Sequence, residues 1–264
     1  MSEAVLAGGD LRLQRADSIA RLILSRPEAR NSLTFAMWAA LPGIAKELAA
    51  DRSVRVLVIA GSGTRAFSAG ADIGELPDIL ATREATQRYN AAVRAAQASL
   101  AALPLPTIAE IRGSCLGGGC GLALHCDLRF ADKTACFAIT PARLGIAYSF
   151  EDTARLVSVV GPARAKDMLF SGRVLSCDEA LSAGLINRVV STPDLGSAVA
   201  DYAESLTDVS QASIRVAKAT VNSIAAGDRE AGVDLRAAFE ATFAGPDAVE
   251  GYAAFMEKRK PNFS

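Results

Sequence analysis

From Ser18 to Leu24 the side chains alternate, with Ile19, Arg21 and Ile23 on one face and Ala20, Leu22 and Leu24 on the other. That period of two predicts a strand whose second face is buried. Thr34 is placed to cap a helix with Met37, Leu41, Ile44 and Leu48 on one stripe. Pro42-Gly43 inside the stripe is expected to kink or divide it. Val54 to Ala60 holds the unbroken run Val56-Leu57-Val58-Ile59, as a strand covered on both sides should, and a glycine-rich loop from Gly61 to Gly74 follows. A long helix is expected from about Thr82 to Leu103, stopping at Pro104 and Pro106. Thr107 to Ile111 reads as a second buried strand, again followed by glycines, Gly117-Gly118-Gly119. A short helix through Leu122 to His125 comes next, then strands near Leu128 to Ala131 and Phe137 to Thr140. Ser176 and Glu179 have capping-box spacing, with Gly184 placed to end that helix. Ile186 to Val190 makes a last strand. From about Asp201 the period is helical only, with Ile214, Ala217, Val221 and Ile224 on a stripe that Gly227 ends.

Strands alternating with helices predict an α/β fold with a parallel core over residues 1–195. The helical remainder, 196–264, is too small to stand alone and should pack on the core or on a neighbouring subunit. The strand-then-glycine arrangement occurs twice, at 54–74 and 107–121.

The chain has 264 residues, 50% of them apolar, enough for one large domain with a sizeable core. A formal net charge of -1 gives no reason to expect nucleic acid or an anionic membrane as partner. The N-terminus lacks a basic stretch followed by an apolar one and reads as a short mobile leader. No run of apolar residues is long enough to span a membrane. Cys115, Cys120, Cys126, Cys136 and Cys177 form no CxxC pair, which fits reduced thiols and a cytoplasmic setting. With one histidine in the chain, no metal site is expected.

Glycine after a buried strand lets the backbone approach a ligand closely, and a helix starting there presents N–H groups with partial positive charge. Gly117-Gly118-Gly119 lies before such a helix, and Phe67-Ser68-Ala69-Gly70-Ala71-Asp72 occupies the same place in the other loop. One N–H from each, converging on one oxygen, would make an oxyanion hole. The dinucleotide fingerprint fails because residue 66 is Ala, and no glycine here precedes Lys-Ser or Lys-Thr as a P-loop needs.

Arg26-Pro27-Glu28-Ala29-Arg30-Asn31-Ser32-Leu33, Ala69-Gly70-Ala71-Asp72-Ile73 and Gly113-Ser114-Cys115-Leu116-Gly117-Gly118-Gly119 resemble the crotonase (enoyl-CoA hydratase/isomerase) superfamily in order and spacing. So do Cys126-Asp127-Leu128-Arg129, Ala183-Gly184-Leu185-Ile186-Asn187 and Glu257-Lys258-Arg259-Lys260-Pro261. The resemblance implies a spiral of ββα units with a C-terminal helical trimerisation region, a homotrimer or dimer of trimers, and an acyl-CoA thioester as substrate. No cofactor is implied beyond the coenzyme A that the substrate carries. The N–H groups of Ala71 and Gly118, with Gly117 beside them, would grip the thioester carbonyl as it becomes an enolate. Arg30, Ser32, Ala69, Asp72 and Ile73 would hold the adenosine end, and Lys258 would reach a coenzyme A phosphate.

Hydration needs acid–base groups near the β-carbon, and in the hydratases two glutamates supply them. By the resemblance their positions fall on Gly121 and Pro141. Decarboxylation of a malonyl-type thioester yields the enolate without a base. The stretch from Phe137 to Tyr148 resembles the methylmalonyl-CoA decarboxylase branch, which implies that Thr140 and Tyr148 orient the carboxylate and that Tyr148 steers a proton to the enolate. That branch has His where this chain has Ala71, and keeps a glutamate where this chain has Gly121. Tyr148 also reads as a core aromatic, Thr140 as a cap. Glu151 and Asp152 would serve an isomerase or atypical hydratase, or merely open a helix. His125 faces away by periodicity, in a structural role. A third reading is an acyl-CoA-binding homologue without turnover.

Overall fold

The computed structural model describes residues 2–228 and 230–263. Strands β1 (Ser2–Leu6), β2 (Leu11–Ala16) and β3 (Ile19–Leu24) form an antiparallel meander. The expected mobile leader is therefore, from Ser2 onward, an edge strand; Met1 lies outside the described residues. Ala4 and Leu6 pack against the core and β2 takes up the strand's backbone groups, which is why the segment is ordered.

β3 then begins a parallel run through β4 (Val56–Gly61), β6 (Thr107–Ile111), β8 (Leu128–Asp132) and β11 (Arg188–Val190), the strands being numbered along the chain. The order is β1-β2-β3-β4-β6-β8-β11. A second sheet of short strands has the order β10-β9-β7-β5, built from β5 (Ala66–Ser68), β7 (Ser114–Leu116), β9 (Cys136–Ala138) and β10 (Leu175–Ser176). Each of the first three follows a strand of the large sheet, so the chain winds through successive ββα units.

Ten helices accompany the sheets among the described residues. α1 (Phe35–Ala50) is capped by Thr34, whose Oγ1 accepts from the Met37 N–H at 3.3 Å. Pro42 does not divide it. Trp38 and Leu41 before the proline and Ile44, Ala45 and Leu48 after it are all buried, and they hold both halves on the core despite the missing ladder bond. α2 (Leu76–Leu80) precedes α3 (Arg83–Ala101), which packs along α1. α4 (Gly118–Leu124) starts inside the glycine cluster, ahead of the expected Leu122. α5 (Phe150–Ser171) is two segments meeting at Gly161, whose φ of +75° is non-helical. α6 (Cys177–Ser182) has the reciprocal Ser176–Glu179 capping box.

α7 (Leu195–Thr207) explains the unbroken apolar run in β4. Val56 and Val58 pack with Leu195, Val199 and Ala203 on one face of the sheet, while Leu57 and Ile59 join the main core on the other. α8 (Gln211–Ala226), α9 (Gly232–Phe243) and α10 (Pro246–Glu257) follow. Val221 and Ile224, on the predicted stripe of α8, remain exposed in the single chain. Among the described residues no helix is long and apolar enough to cross a membrane.

Candidate active site

Both glycine loops reach the same place. Gly117, at φ +50° and ψ −117°, turns the chain out of β7, and Gly118 becomes the first residue of α4. The N–H groups of a first helical turn have no partner in their own helix. Opposite, Gly70 has φ +102°, and a Cβ there would stand 2.9 Å from the Leu116 carbonyl oxygen and 3.3 Å from the Gly118 nitrogen. A Cβ on Gly118 would stand 3.5 Å from the Ala71 nitrogen and 3.4 Å from the Trp38 ring. The Ala71 and Gly118 N–H groups thus border one space, and among the described residues neither is taken by an acceptor. Two such donors can hold one oxygen on which negative charge develops.

Ala71 is fixed by a lacing of two loops. The Leu33 N–H donates to Gly70 O at 2.7 Å, Asp72 N–H to Leu33 O at 3.0 Å, and Ala69 N–H to Arg30 O at 2.9 Å. Asn31, fully buried at φ +54°, ties both loops to the end of β4: its Nδ2 donates to Ser62 O at 3.0 Å and Ala66 O at 2.7 Å, and its Oδ1 accepts from Arg26 N–H at 3.0 Å.

Arg26 engages two of the residues expected at the adenosine end. Its guanidinium donates to Asp72 Oδ2 at 2.6 Å and Ser32 Oγ at 3.0 Å, and this contact holds the Asp72 carboxyl below the usual range. Arg30 and Ile73 are exposed beside them and Ala69 is half-buried. Lys258 ends α10 at φ +54°, and no hydrogen bond or ion pair among the described residues joins it to these loops.

Thr140 and Tyr148 flank Gly117. Thr140 makes no side-chain cap bond, and its Oγ1 lies 3.5 Å from where a Gly117 Cβ would be. Tyr148 Oη donates to Gly117 O at 3.3 Å, and burial pushes the phenol well above its usual pKa. Tyr148 also borders a cavity of about 230 Å³ with Ile139, Pro141, Ile146, Thr153 and Leu169. Larger concavities, of about 970 and 620 Å³, lie instead along α8 to α10, away from these groups.

Behind Tyr148 stands a carboxylate from another helix. A Cβ on Gly121 would meet Asp152 Oδ1 at 2.7 Å, Gln97 Nε2 at 2.9 Å and Tyr148 Oη at 2.9 Å. Glu151 and Asp152 do open α5 behind the cap Ser149, but they part ways: Glu151 is exposed and Asp152 is 5% exposed. Asp152 accepts from Gln97 Nε2 at 2.8 Å and from Ser149 Oγ at 2.8 Å, and burial raises its pKa above the ordinary carboxylate value. His125 does not face away as periodicity suggested. It is 7% exposed, its Nδ1 lies 2.8 Å from Gly121 O and 3.8 Å from Asp152 Oδ1, and burial lowers its pKa. The residue still follows the helical turn, with its N–H on Gly121 O at 3.2 Å, and the ring is held inward because Nδ1–H donates to that same carbonyl. Sequence reasoning missed Arg26, Trp38 and Gln97. Gln97 left a signal, a lone amide among Ala96 and Leu100 on the buried face of α3.

Paired sheets whose glycine turns bring two unengaged N–H groups together are the frame of an enzyme acting on a polarised carbonyl. The chain belongs to the crotonase superfamily of acyl-CoA-processing enzymes, since the enoyl-CoA hydratase/isomerase family profile matches residues 14–264. It is 34% identical to a crotonyl-CoA hydratase of Syntrophomonas wolfei over 98% of this chain and 99% of that one. It is 37% identical to a probable enoyl-CoA hydratase of Mycobacterium leprae over 92% and 93% of the two chains. Among solved structures it resembles an enoyl-CoA hydratase/isomerase family protein of Hyphomonas neptunium, with TM-score 0.93, 38% identity and 97% of each chain covered.

Proposed function

We propose that this enzyme forms a thioester enolate by decarboxylating a malonyl- or methylmalonyl-type acyl-CoA, with Ala71 and Gly118 N–H groups on the enolate oxygen. The observation that carries the reading is the state of the groups nearest that pair. Thr140 and Tyr148 offer hydroxyls beside Gly117, whereas Asp152 has both oxygens bonded within the protein. A phenol of raised pKa is a poor base and a competent donor. It cannot take a proton from carbon, but it can give one to an enolate that loss of carbon dioxide has already made. The cavity of about 230 Å³ beside Tyr148, with its apolar lining of Ile139, Pro141, Ile146 and Leu169, would take the acyl branch. The reading needs no resident cofactor. Arg30 would meet the coenzyme A end, with Lys258 supplied across a subunit contact, and the exposed apolar faces of α8 and α9 support a trimer or dimer of trimers.

Asp152 favours a second reading. If it leaves Gln97 and reaches substrate, one carboxylate can shuttle a proton along an enoyl chain and move its double bond, whereas hydration asks for two such groups. Mass spectrometry of purified protein with malonyl-, methylmalonyl- and enoyl-CoA thioesters separates the two. Loss of carbon dioxide, slowed about 10²–10³-fold in G118A and clearly slowed in Y148F, is expected. Double-bond migration abolished by D152N would replace this reading with the isomerase.

A further inference from the structure

Asp72 follows Ala71 directly and lies in a loop expected at the adenosine end, yet both oxygens of its side chain are engaged inside the protein. Oδ2 accepts from Arg26 at 2.6 Å and Oδ1 from the Gly74 N–H at 2.9 Å. Ser32 Oγ likewise accepts from Arg26, at 3.0 Å. Arg26 is itself tethered from several sides. Its Nη1 also donates to Ser32 O at 2.9 Å, its Nε lies 3.5 Å from Asp10 Oδ1, and backbone bonds at 3.0 and 2.7 Å join it to Asn31. Asp10 accepts from the Thr34 hydroxyl at 3.3 Å, and Thr34 caps α1. The guanidinium thus joins the β1–β2 turn, the start of α1 and the Ala71 loop. Arg26 and Asp72 are each only 19% exposed, so the pair is a short, charge-assisted bond partly shielded from water.

Gly70 O and the Ala71 N–H belong to one peptide plane. The Leu33 N–H, on Gly70 O at 2.7 Å, sets the tilt of that plane, and Asp72 anchors it on the other side, with its own N–H on Leu33 O at 3.0 Å and its carboxylate on Arg26. We infer that Arg26 is a positioning residue for the enolate site: through Asp72 it keeps the Ala71 N–H in register with that of Gly118, and it serves turnover rather than coenzyme binding. This rests on the oxyanion role of those two N–H groups. A donor of this kind helps only if it is in place before charge develops, and a displacement of about 1 Å is enough to cost a large factor in rate. Ser32 and Asp72, expected to meet the adenosine end, then hold the loop together by their side chains.

The test assays R26Q and R26K on methylmalonyl-CoA and on methylmalonyl-pantetheine, which lacks the adenosine and its phosphates. R26Q should lose about 10- to 100-fold in kcat, by the same factor on both thioesters, with KM little changed. R26K keeps the charge without the planar fork and should fall in between, which covers an R26Q chain that does not fold. D72N should show a similar loss, and R26Q/D72N little more than either alone, since both break one linkage. An unchanged kcat, a loss confined to KM, a loss seen only with the coenzyme A thioester, or additive losses in the double variant each overturns the proposal. If the parent enzyme releases no carbon dioxide, the decarboxylase reading falls by itself, and acetoacetyl-CoA carries the test instead. Bound as its enolate and read by ultraviolet absorbance, it should be held about tenfold more tightly by the parent than by R26Q. Equal affinities, or no enolate on the parent enzyme, overturn the role of Arg26.

Discussion

Gly118 sits at a regular helical φ with 3.4–3.5 Å of clearance at its absent Cβ, so alanine fits there without moving the backbone. The same Cβ would stand between the two N–H groups. G118A is therefore expected to keep its melting temperature while turnover falls about 10²–10³-fold, the usual loss when an oxyanion donor is disabled; an active, stable G118A would remove the oxyanion role. Gly121 is the opposite case. G121E drives a side chain into Asp152, Gln97 and Tyr148, and thermal or denaturant unfolding should show a loss of about 1–3 kcal/mol. Part of that loss returns when D152G opens the space in the same chain. His125 gives a pH signature. Its folded pKa lies below the ordinary value near 6.5, so between those two values the unfolded chain binds more protons than the folded one. Stability accordingly rises with pH across that window and falls on acidification through it. H125Q, measured by denaturant unfolding at a series of pH values, should flatten that part of the profile.

The elements that position the site are mostly turns, and their stability is concentrated in Asn31. N31A removes the donors to Ser62 O and Ala66 O from a buried, left-handed position, and about 2–4 kcal/mol of stability should go with them. N31G recovers about 1 kcal/mol of this by relieving the left-handed strain, without restoring the bonds. An N31A chain as stable as the parent would show that the two loops are held by something else. β3, β4, β6 and the capped helices were legible in the sequence because each is long enough to show its own period or cap. β5, β7 and β9 have three residues each, too few to display alternation, and their buried faces are set by the sheet they join. That the two glycine loops would meet was legible because glycine clusters after apolar strands mark close backbone approach, whereas the choice of the Ala71 and Gly118 N–H groups came from the family resemblance. Asp152 beside Gly121 was not legible, since that meeting depends on how α5 is laid against α4, and no local spacing encodes it.

Over the whole molecule, apolar surface is distributed unevenly. Val221, Ile224, Phe239 and Phe243 are exposed on α8 and α9, with Phe239 and Phe243 in edge contact at 5.2 Å, and a groove of about 970 Å³ runs between the helices. Contiguous apolar surface of that kind marks a place where another chain packs. If this face joins subunits, light scattering of I224D or F243D should report a smaller particle than the parent, with helical circular dichroism retained; an unchanged particle size would remove this face as a subunit contact. The crowding at Gly121 reaches further, into descent. An acid on α4 at position 121 and an acid on α5 at position 152 claim the same volume, so a chain that carries both bears the strain that G121E would show. A lineage that exchanged one arrangement for the other did so most cheaply by losing one acid before gaining the second. Relatives of this chain should accordingly favour one acid or the other at these two positions, and seldom both.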